Sequence, residues 1–215
     1  MKARRWRTLK TERVFATPIF DLHRRRAVHA KRGERDFFVI DPADWVNIIP
    51  LTSRREVVMV RQFRHGIGAF TLEIPGGMID PEDDSPATAG RREMQEECGF
   101  DSTDIVPLGR VHPNPAIQPN FCYSFLARNV KKVREPHSNP DGSEETEVVT
   151  VPLKSIKDLI ASGKITHALV IAAFSFLDLY NPPRPARPRP ARPHSASARS
   201  SSGFCRSEFR AAAQP

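Results

Sequence analysis

The sequence predicts an α/β fold, in which a mixed β-sheet packs against helices as an α/β sandwich. Two observations lead to this prediction. Strand-like segments lie on both sides of one central helical segment, and further helical segments follow the last strand. Elements in this order are expected to form layers around one hydrophobic core. With 215 residues, the chain is long enough for one domain with a full core.

Apolar residues alternate or cluster as in strands at 14–22 and 36–40, and a basic, hairpin-like stretch at 24–35 joins them. Further strands are predicted at 45–51, 57–63, 70–74, 105–111, 121–127 and 147–151. Helical periodicity is present at 153–161 and 166–179.

The central helix has clear start and stop signals. Ser85 is a good N-cap residue, Pro86 suits the first helical position, and Gly99 fits the position just past the end. An apolar stripe would dock this helix on the sheet, and it consists of Ala87, Gly90, Met94 and Cys98.

The chain divides into three parts by composition. Residues 1–42 hold the N-terminal strands, 43–181 form the main domain, and 182–215 are a Pro-, Arg- and Ser-rich tail. The tail cannot bury a core and is expected to be disordered. It is interpreted as inert, with a proline-rich ligand or a basic nucleic-acid tether as the alternatives.

The net charge of +8 comes from the two ends of the chain. Residues 1–35 hold 12 Lys and Arg against 3 Asp and Glu, and residues 182–215 hold 7 against 1. The middle, 36–181, holds 14 against 21 and is acidic. Nucleic acid is therefore not the expected partner, despite a pI of about 9.9.

Three widely spaced cysteines indicate neither a disulfide framework nor a zinc site, and they suit a reducing cytoplasm. The N-terminus has no apolar core of a secretory signal, and the longest apolar run, 168–177, is too short to span a bilayer. A cytoplasmic protein without a membrane partner is the expectation.

The central helix concentrates the chemistry. Glu93, Glu96 and Glu97 lie within five residues, and such carboxylates repel one another unless a cation lies among them. Glu93 and Glu97 share one helix face beside the apolar stripe, whereas Glu96 points further out, near Arg92. Oxygen ligands suit Mg²⁺ or Mn²⁺ and not Zn²⁺. A solvated acidic helix face is the alternative interpretation.

The order of residues from Gly77 through 92–100 resembles the Nudix box, G-x5-E-x7-R-E-U-x-E-E-x-G-U, where U is apolar. The second half matches at every defined position. The first half differs, because counting back from Arg92 puts Asp84 where the motif has Glu, and the stretch from Gly77 is one residue longer.

The resemblance implies a Nudix-type α/β/α sandwich and a pyrophosphohydrolase that uses Mg²⁺ or Mn²⁺. Glu93 and Glu97 would bind metal, Glu96 would be a ligand or a catalytic partner, and Arg92 would hold the carboxylates. The main chain at Gly76 would also face a metal. Nudix enzymes hydrolyse a nucleoside diphosphate linked to another group by attack of water at phosphorus.

The flanking segments resemble ADP-ribose pyrophosphatases. Arg64 precedes the 72–77 segment as in those enzymes and would contact the diphosphate, and Pro115 lies fifteen residues past the box. The expected reaction is hydrolysis of ADP-ribose to AMP and ribose 5-phosphate. These enzymes commonly dimerise through N-terminal strands, so a homodimer is expected here.

An acidic loop precedes the last predicted strand. ADP-ribose pyrophosphatases place a metal-binding or base Glu in an acidic loop at this point, and the resemblance makes Glu144 and Glu145 the candidates. A mobile acidic surface turn is the alternative. The 114–120 loop lacks the acidic residue those enzymes often carry, but Gln118 or Asn120 could bind the base or ribose. Alternatives are another nucleotide sugar, a dinucleoside polyphosphate, an oxidised nucleotide, or a non-catalytic binder of ADP-ribose or RNA.

Overall fold

The computed structural model describes residues 4–136 and 146–180. The strands of the described residues are β1 (Arg7–Ala16), β2 (Phe20–His29), β3 (Gly33–Pro42), β4 (Trp45–Leu51), β5 (Glu56–Arg64), β6 (Ala69–Glu73), β7 (Gly76–Met78), β8 (Phe100–Asp101), β9 (Ile105–Val111), β10 (Cys122–Arg128), β11 (Lys131–Lys132) and β12 (Thr146–Pro152). The helices are α1 (Pro86–Cys98), α2 (Ile156–Ala161) and α3 (Ala168–Leu179), and a 3₁₀ turn at Leu153–Ser155 precedes α2. The predicted tail at 182–215 lies outside the described residues.

The N-terminal strands form an antiparallel sheet of their own, in the order β1-β2-β3. The strand predicted at 14–22 is wrong, because the chain turns at Thr17. The Thr17 hydroxyl accepts a hydrogen bond from the N–H of Phe20 (2.9 Å), and Pro18 has no N–H to donate to a strand partner. The hairpin-like stretch predicted at 24–35 is confirmed, since β2 and β3 pair antiparallel across a turn at 30–32.

The larger sheet, which has seven strands within the described residues, is mixed, as predicted. Its order is β12-β5-β4-β10-β9, with β6 paired to β5 and β7 paired to β4. β4 and β10 run parallel, whereas the other pairs are antiparallel. A separate short pair, β8 and β11, lies beyond the end of α1.

Helices cover both faces of the larger sheet. Val46 and Ile48 of β4 pack with Met94 of α1 on one face, while Ile49 packs with Val170 of α3 on the other. This alternation follows from the two-residue period of a strand, which sends successive side chains to opposite faces. The predicted α/β/α sandwich is confirmed. No helix within the described residues is long and apolar enough to cross a membrane.

Helix α1 begins and ends as its sequence predicts. The Ser85 side chain accepts a hydrogen bond from the N–H of Thr88, and Gly99 adopts the left-handed conformation with φ 72°. Gly90, Met94 and Cys98 are buried. The apolar stripe thereby fixes the rotation of α1, so that Glu93 lies beside the packed face while Glu96 points further out.

Candidate active site

A cleft of about 1210 Å³ opens at the end of the larger sheet where β4 begins and β5 ends. β4 and β5 share a single register pair, Leu51 with Val57, and beyond it β7 pairs with β4 while β6 pairs with β5. The two strands therefore separate, and their far ends line the two walls of the cleft. The glutamates of α1 and Arg64 of β5 line this same cleft.

The three predicted carboxylates of α1 differ in their environment. The Glu93 side chain is 13% exposed, whereas that of Glu96 is 42% exposed. Burial raises the pKa of Glu93 to about 7, the charge of Glu96 adds to this rise, and Arg92 opposes it. Glu97 accepts a hydrogen bond from the main-chain N–H of Gly76 (3.1 Å). The predicted split between inward Glu93 and outward Glu96 is confirmed.

Arg92 holds these carboxylates in place. Its Nη1 donates to Glu93 (2.9 Å) and to Glu96 (3.2 Å), and its Nη2 donates to the carbonyl oxygen of Met78 (3.0 Å). Hydrogen bonding to Asp83 is the main cause that raises the pKa of Arg92. The guanidinium therefore connects α1 to the loop that precedes it, and it stays cationic throughout the working pH range.

In the loop before α1, Arg92 pairs with Asp83 and Asp80, and not with Asp84, the residue that counting back from Arg92 puts at the Glu position of the motif. Nε and Nη2 of Arg92 donate to the two Asp83 oxygens at 3.3 and 3.0 Å. The Asp83 side chain is 6% exposed, while Asp84 is exposed. Counting forward from Gly77 gives Asp83 the spacing of the motif, so the additional residue lies between Asp83 and Arg92.

The Gly76-Gly77 turn brings the main chain against the carboxylates. A Cβ placed on Gly77 would collide with the Glu93 carboxylate, and one on Gly76 would collide with the main-chain oxygen of Val46. Only glycine permits these two approaches. The turn thus lies within reach of the same ligand as Glu93 and Glu97.

The donor set of the cleft fits a divalent metal ion. Glu93 and Glu97 lie one helical turn apart, and carboxylate oxygens are the ligands that Mg²⁺ and Mn²⁺ prefer. A buried carboxylate whose pKa is raised gains from a cation that replaces its proton. Within the described residues, no group of three His, Cys, Asp or Glu side chains is placed to hold a metal ion. Arg92 engages Glu93 and Glu96, while the Gly76 N–H engages Glu97.

Arg64 lies in the opposite wall of the cleft and pairs with Glu73. Its Nε and Nη2 donate to the two Glu73 oxygens, both at 2.8 Å. Although burial opposes the change, hydrogen bonds from Arg64 and Thr71 lower the pKa of Glu73. Nε2 of His167 lies 3.8 Å from Glu73. Arg64 was predicted as a diphosphate contact, and its position in the cleft is compatible with that role.

Gln118 and Asn120 lie on the loop between β9 and β10, outside the residues that line the cleft. The Asn120 side chain is buried, and its Nδ2 donates to the carbonyl oxygen of Ala43 (3.0 Å). Gln118 is half-buried, and its N–H donates to the carbonyl oxygen of Asn114 (2.8 Å). Their predicted contact with the substrate remains a prediction.

Glu144 and Glu145 lie outside the described residues, so their predicted catalytic roles remain predictions as well. The strand that follows begins at Thr146, which lines the cleft. Glu147 points elsewhere and pairs with Arg61 at the surface (3.2 Å).

Comparison with known proteins identifies the family. The model of the NUDIX domain matches residues 42–174, which is more than half of the chain. The ADP-ribose pyrophosphatase of Bacillus subtilis (strain 168) is 25% identical over 181 residues, which cover 83% of this chain and 96% of the relative. The ADP-sugar pyrophosphatase of Mus musculus is 40% identical over 146 residues, 60% of this chain and 63% of the relative.

A solved structure, described as the crystal structure of an ADP compounds hydrolase, has the same fold. Its TM-score is 0.73 at 20% sequence identity, over 83% of this chain and 95% of that chain. Because the domain model matches more than half of the chain and the fold agrees, the chain belongs to the Nudix family. Its enzyme class is that of the family, the pyrophosphohydrolases, which generally use divalent metals.

Sequence reasoning missed three residues of the site: Asp83, Glu73 and His167. Asp83 could have been found by counting the motif forward from Gly77 as well as backward from Arg92. Glu73 lies directly before the Ile74-Pro75-Gly76 turn, but its partner is visible only in the β5–β6 register. His167 gives no local signal beyond its place before an apolar helix.

Proposed function

We propose that the protein hydrolyses the diphosphate linkage of a nucleoside diphosphate derivative, with ADP-ribose as the substrate and AMP and ribose 5-phosphate as the products. One observation carries the proposal: the carboxylates of α1 and the guanidinium of Arg64 line the same cleft. A diphosphate bridges such groups, because it binds a carboxylate-held cation on one side and a guanidinium on the other.

Mg²⁺ is the proposed cofactor, with Mn²⁺ as a substitute, and Glu93, Glu97 and the main chain of Gly76 would hold it. Such an ion, when bound, neutralises the diphosphate and acidifies a water molecule. Glu96 serves as a further ligand or as a partner for that water. Arg92 keeps Glu93 and Glu96 from turning away, through the hydrogen bonds described above.

In the proposed reaction a water oxygen attacks one phosphorus, and the bond from that phosphorus to the bridging oxygen breaks. The proton of the water passes to a carboxylate, and the leaving phosphate departs with the bridging oxygen. Glu144 and Glu145 are the candidates for this proton acceptor. Both lie in the segment before β12, whose first residue, Thr146, lines the cleft.

The rim of the cleft supports a nucleoside derivative as the ligand. Ile19, Phe63 and Ile67 line it, and they are 58%, 38% and 64% exposed. Exposed apolar side chains at a cleft mouth suit a flat nucleobase. Gln118 and Asn120 remain candidates for contact with the base or the ribose.

The experiment is a turnover assay with purified protein, in which AMP release from ADP-ribose is followed with Mg²⁺, with Mn²⁺ and with EDTA. A panel of nucleotide sugars, dinucleoside polyphosphates and oxidised nucleotides provides the comparison. We expect the highest kcat/KM for ADP-ribose and loss of turnover with EDTA. Glu97→Gln should reduce kcat by about 10²–10⁴-fold. Turnover of no nucleoside diphosphate, with Glu97→Gln binding ADP-ribose as well as wild type does, would instead identify a non-catalytic binder.

We also propose that two copies associate through the N-terminal sheet. Phe15 and Phe38 are 61% and 57% exposed, and the strand register sets them beside Leu22 and Arg24 on one face. An exposed apolar patch of this kind favours association. Sedimentation velocity should give a dimer that Phe38→Glu converts to a monomer, while Leu179→Glu, on an exposed residue of α3, leaves the dimer intact.

We also propose that the protein is located in the cytoplasm. Cys98 and Cys122 are free and buried, and thiols of this kind are stable in a reducing compartment. Cell fractionation with an antibody to the protein tests the location directly.

A further inference from the structure

Glu73 is a buried carboxylate in the wall of the cleft, and it is 3% exposed. Its two oxygens accept the two parallel hydrogen bonds from Arg64, and one of them also accepts a hydrogen bond from the Thr71 hydroxyl. Burial of a charged carboxylate is costly unless it is paired and hydrogen-bonded. Arg64 and Thr71 meet this requirement for Glu73. The paired carboxylate in turn fixes the plane of the Arg64 guanidinium.

His167 connects this pair to helix α3. Its Nδ1 accepts a hydrogen bond from the N–H of Leu169 (3.2 Å) and so caps the helix. Burial lowers the pKa of His167, although Glu73 opposes the change. A neutral ring that accepts at Nδ1 carries its proton on Nε2, and this nitrogen is the one that faces Glu73.

We propose that Glu73 is a positioning residue that holds the Arg64 guanidinium in place for the diphosphate of the substrate, and that His167 supports Glu73 in this role. This inference rests on the proposed function. Arg64 comes from the last position of β5, Glu73 from the last position of β6 and His167 from the residue before α3. Three separate elements therefore define the orientation of one cation in the wall opposite α1.

The arrangement separates binding from chemistry. Arg64 is 38% exposed along its side chain, so without Glu73 its long side chain gains many rotamers and loses its planar orientation. A guanidinium fixed before the substrate arrives loses less conformational entropy on binding. Loss of Glu73 should consequently weaken substrate binding more than it slows the chemical step at the carboxylates of α1.

The test is a double-mutant cycle of Glu73→Gln and Arg64→Ala, with KM, kcat and thermal unfolding measured for each variant on ADP-ribose with Mg²⁺. Glutamine keeps the size of Glu73 but removes the charge and one of the two acceptors. We expect Glu73→Gln to raise KM by about 10–100-fold with kcat changed by less than about threefold. In the Arg64→Ala background, Glu73→Gln should have no further effect on KM.

His167→Asn is the matched control for the helix cap. Asparagine is a good N-cap residue and can still accept from Leu169, but it does not reach Glu73. We expect a KM increase of about two- to fivefold with an unchanged unfolding temperature. His167→Ala, which also removes the cap, should lower the unfolding temperature as well.

An additive cycle, or a fall of kcat in Glu73→Gln with unchanged KM, would overturn the positioning role. If wild-type protein turns over no nucleoside diphosphate, the proposed function fails, and the same variants are then tested for the Kd of inorganic pyrophosphate by calorimetry. A Glu73→Gln Kd that rises only when Arg64 is present supports positioning independently of turnover. An unchanged Kd, or no binding by wild type, rejects it.

Discussion

Asp83 and Arg92 form a two-point ion pair that fixes the loop before α1 to the carboxylate helix. Oδ1 and Oδ2 of Asp83 accept from Nε and Nη2 of Arg92 at 3.3 and 3.0 Å. Hydrogen bonding from Arg92 is the main cause that lowers the pKa of Asp83. Because Nη1 of the same guanidinium engages Glu93 and Glu96, Asp83 acts on these two carboxylates through Arg92.

Asp83→Asn should therefore reduce kcat/KM by about 10–100-fold. The amide offers one acceptor in place of two, so Arg92 can turn and release Glu93 and Glu96. Asp84→Asn is the control, because its side chain is exposed beside the same loop, and its kinetics should match those of wild type. Equal losses in the two variants would show that the loop charge matters and not the pairing.

The glycine turn gives a second prediction, in which two neighbouring substitutions have different consequences. In Gly77→Ala the new methyl group displaces the movable Glu93 side chain, so activity should fall by about 10–100-fold while stability changes by less than about 1 kcal/mol. In Gly76→Ala the methyl group meets the main chain of Val46. We expect a loss of about 2 kcal/mol or more in the free energy of unfolding. Urea unfolding and kcat/KM, measured on both variants, check the contrast.

Measurements of stability and of KM can distinguish the roles of Asn120 and Gln118. Asn120→Ala removes the buried donor to the Ala43 carbonyl and should cost about 1–2 kcal/mol of stability. Gln118→Ala removes a half-buried side chain and should leave stability nearly unchanged. If Gln118 binds the ribose or base, the KM of the Gln118→Ala variant for ADP-ribose should rise about tenfold. An unchanged KM in both variants would exclude the 114–120 loop from the binding site.

The parts of the site that the sequence predicted are those with local causes. Glu93, Glu96 and Arg92 belong to one helix, whose rotation follows from its own apolar stripe and whose ends follow from Ser85 and Gly99. The Arg64–Glu73 pair depends instead on the register of β5 with β6, which local periodicity does not determine. His167 is further removed, because its contact depends on how α3 packs on the sheet. The strand break at Thr17 was missed because its apolar neighbours obscured the turn signal of Pro18.

Glu93 should make the metal-free protein less stable as the pH rises. Its folded-state pKa is about 7 against an ordinary value of 4.5, so the folded form holds the proton more tightly than the unfolded form. This contribution to stability is full below about pH 4.5 and is lost as the pH rises through 7, by on the order of 3 kcal/mol.

Glu93→Gln, which has no proton to lose there, should therefore be more stable than wild type in EDTA at pH 8 and similar to it at pH 4.5. Mg²⁺ at pH 8 should stabilise wild type, because a cation replaces the lost proton, and it should have a smaller effect on Glu93→Gln. Thermal unfolding of both proteins across pH 4.5–8, with EDTA and with Mg²⁺, measures these differences. A difference between the two proteins that stays constant with pH in EDTA would contradict the raised pKa, since only a group that titrates within this range can make the difference grow.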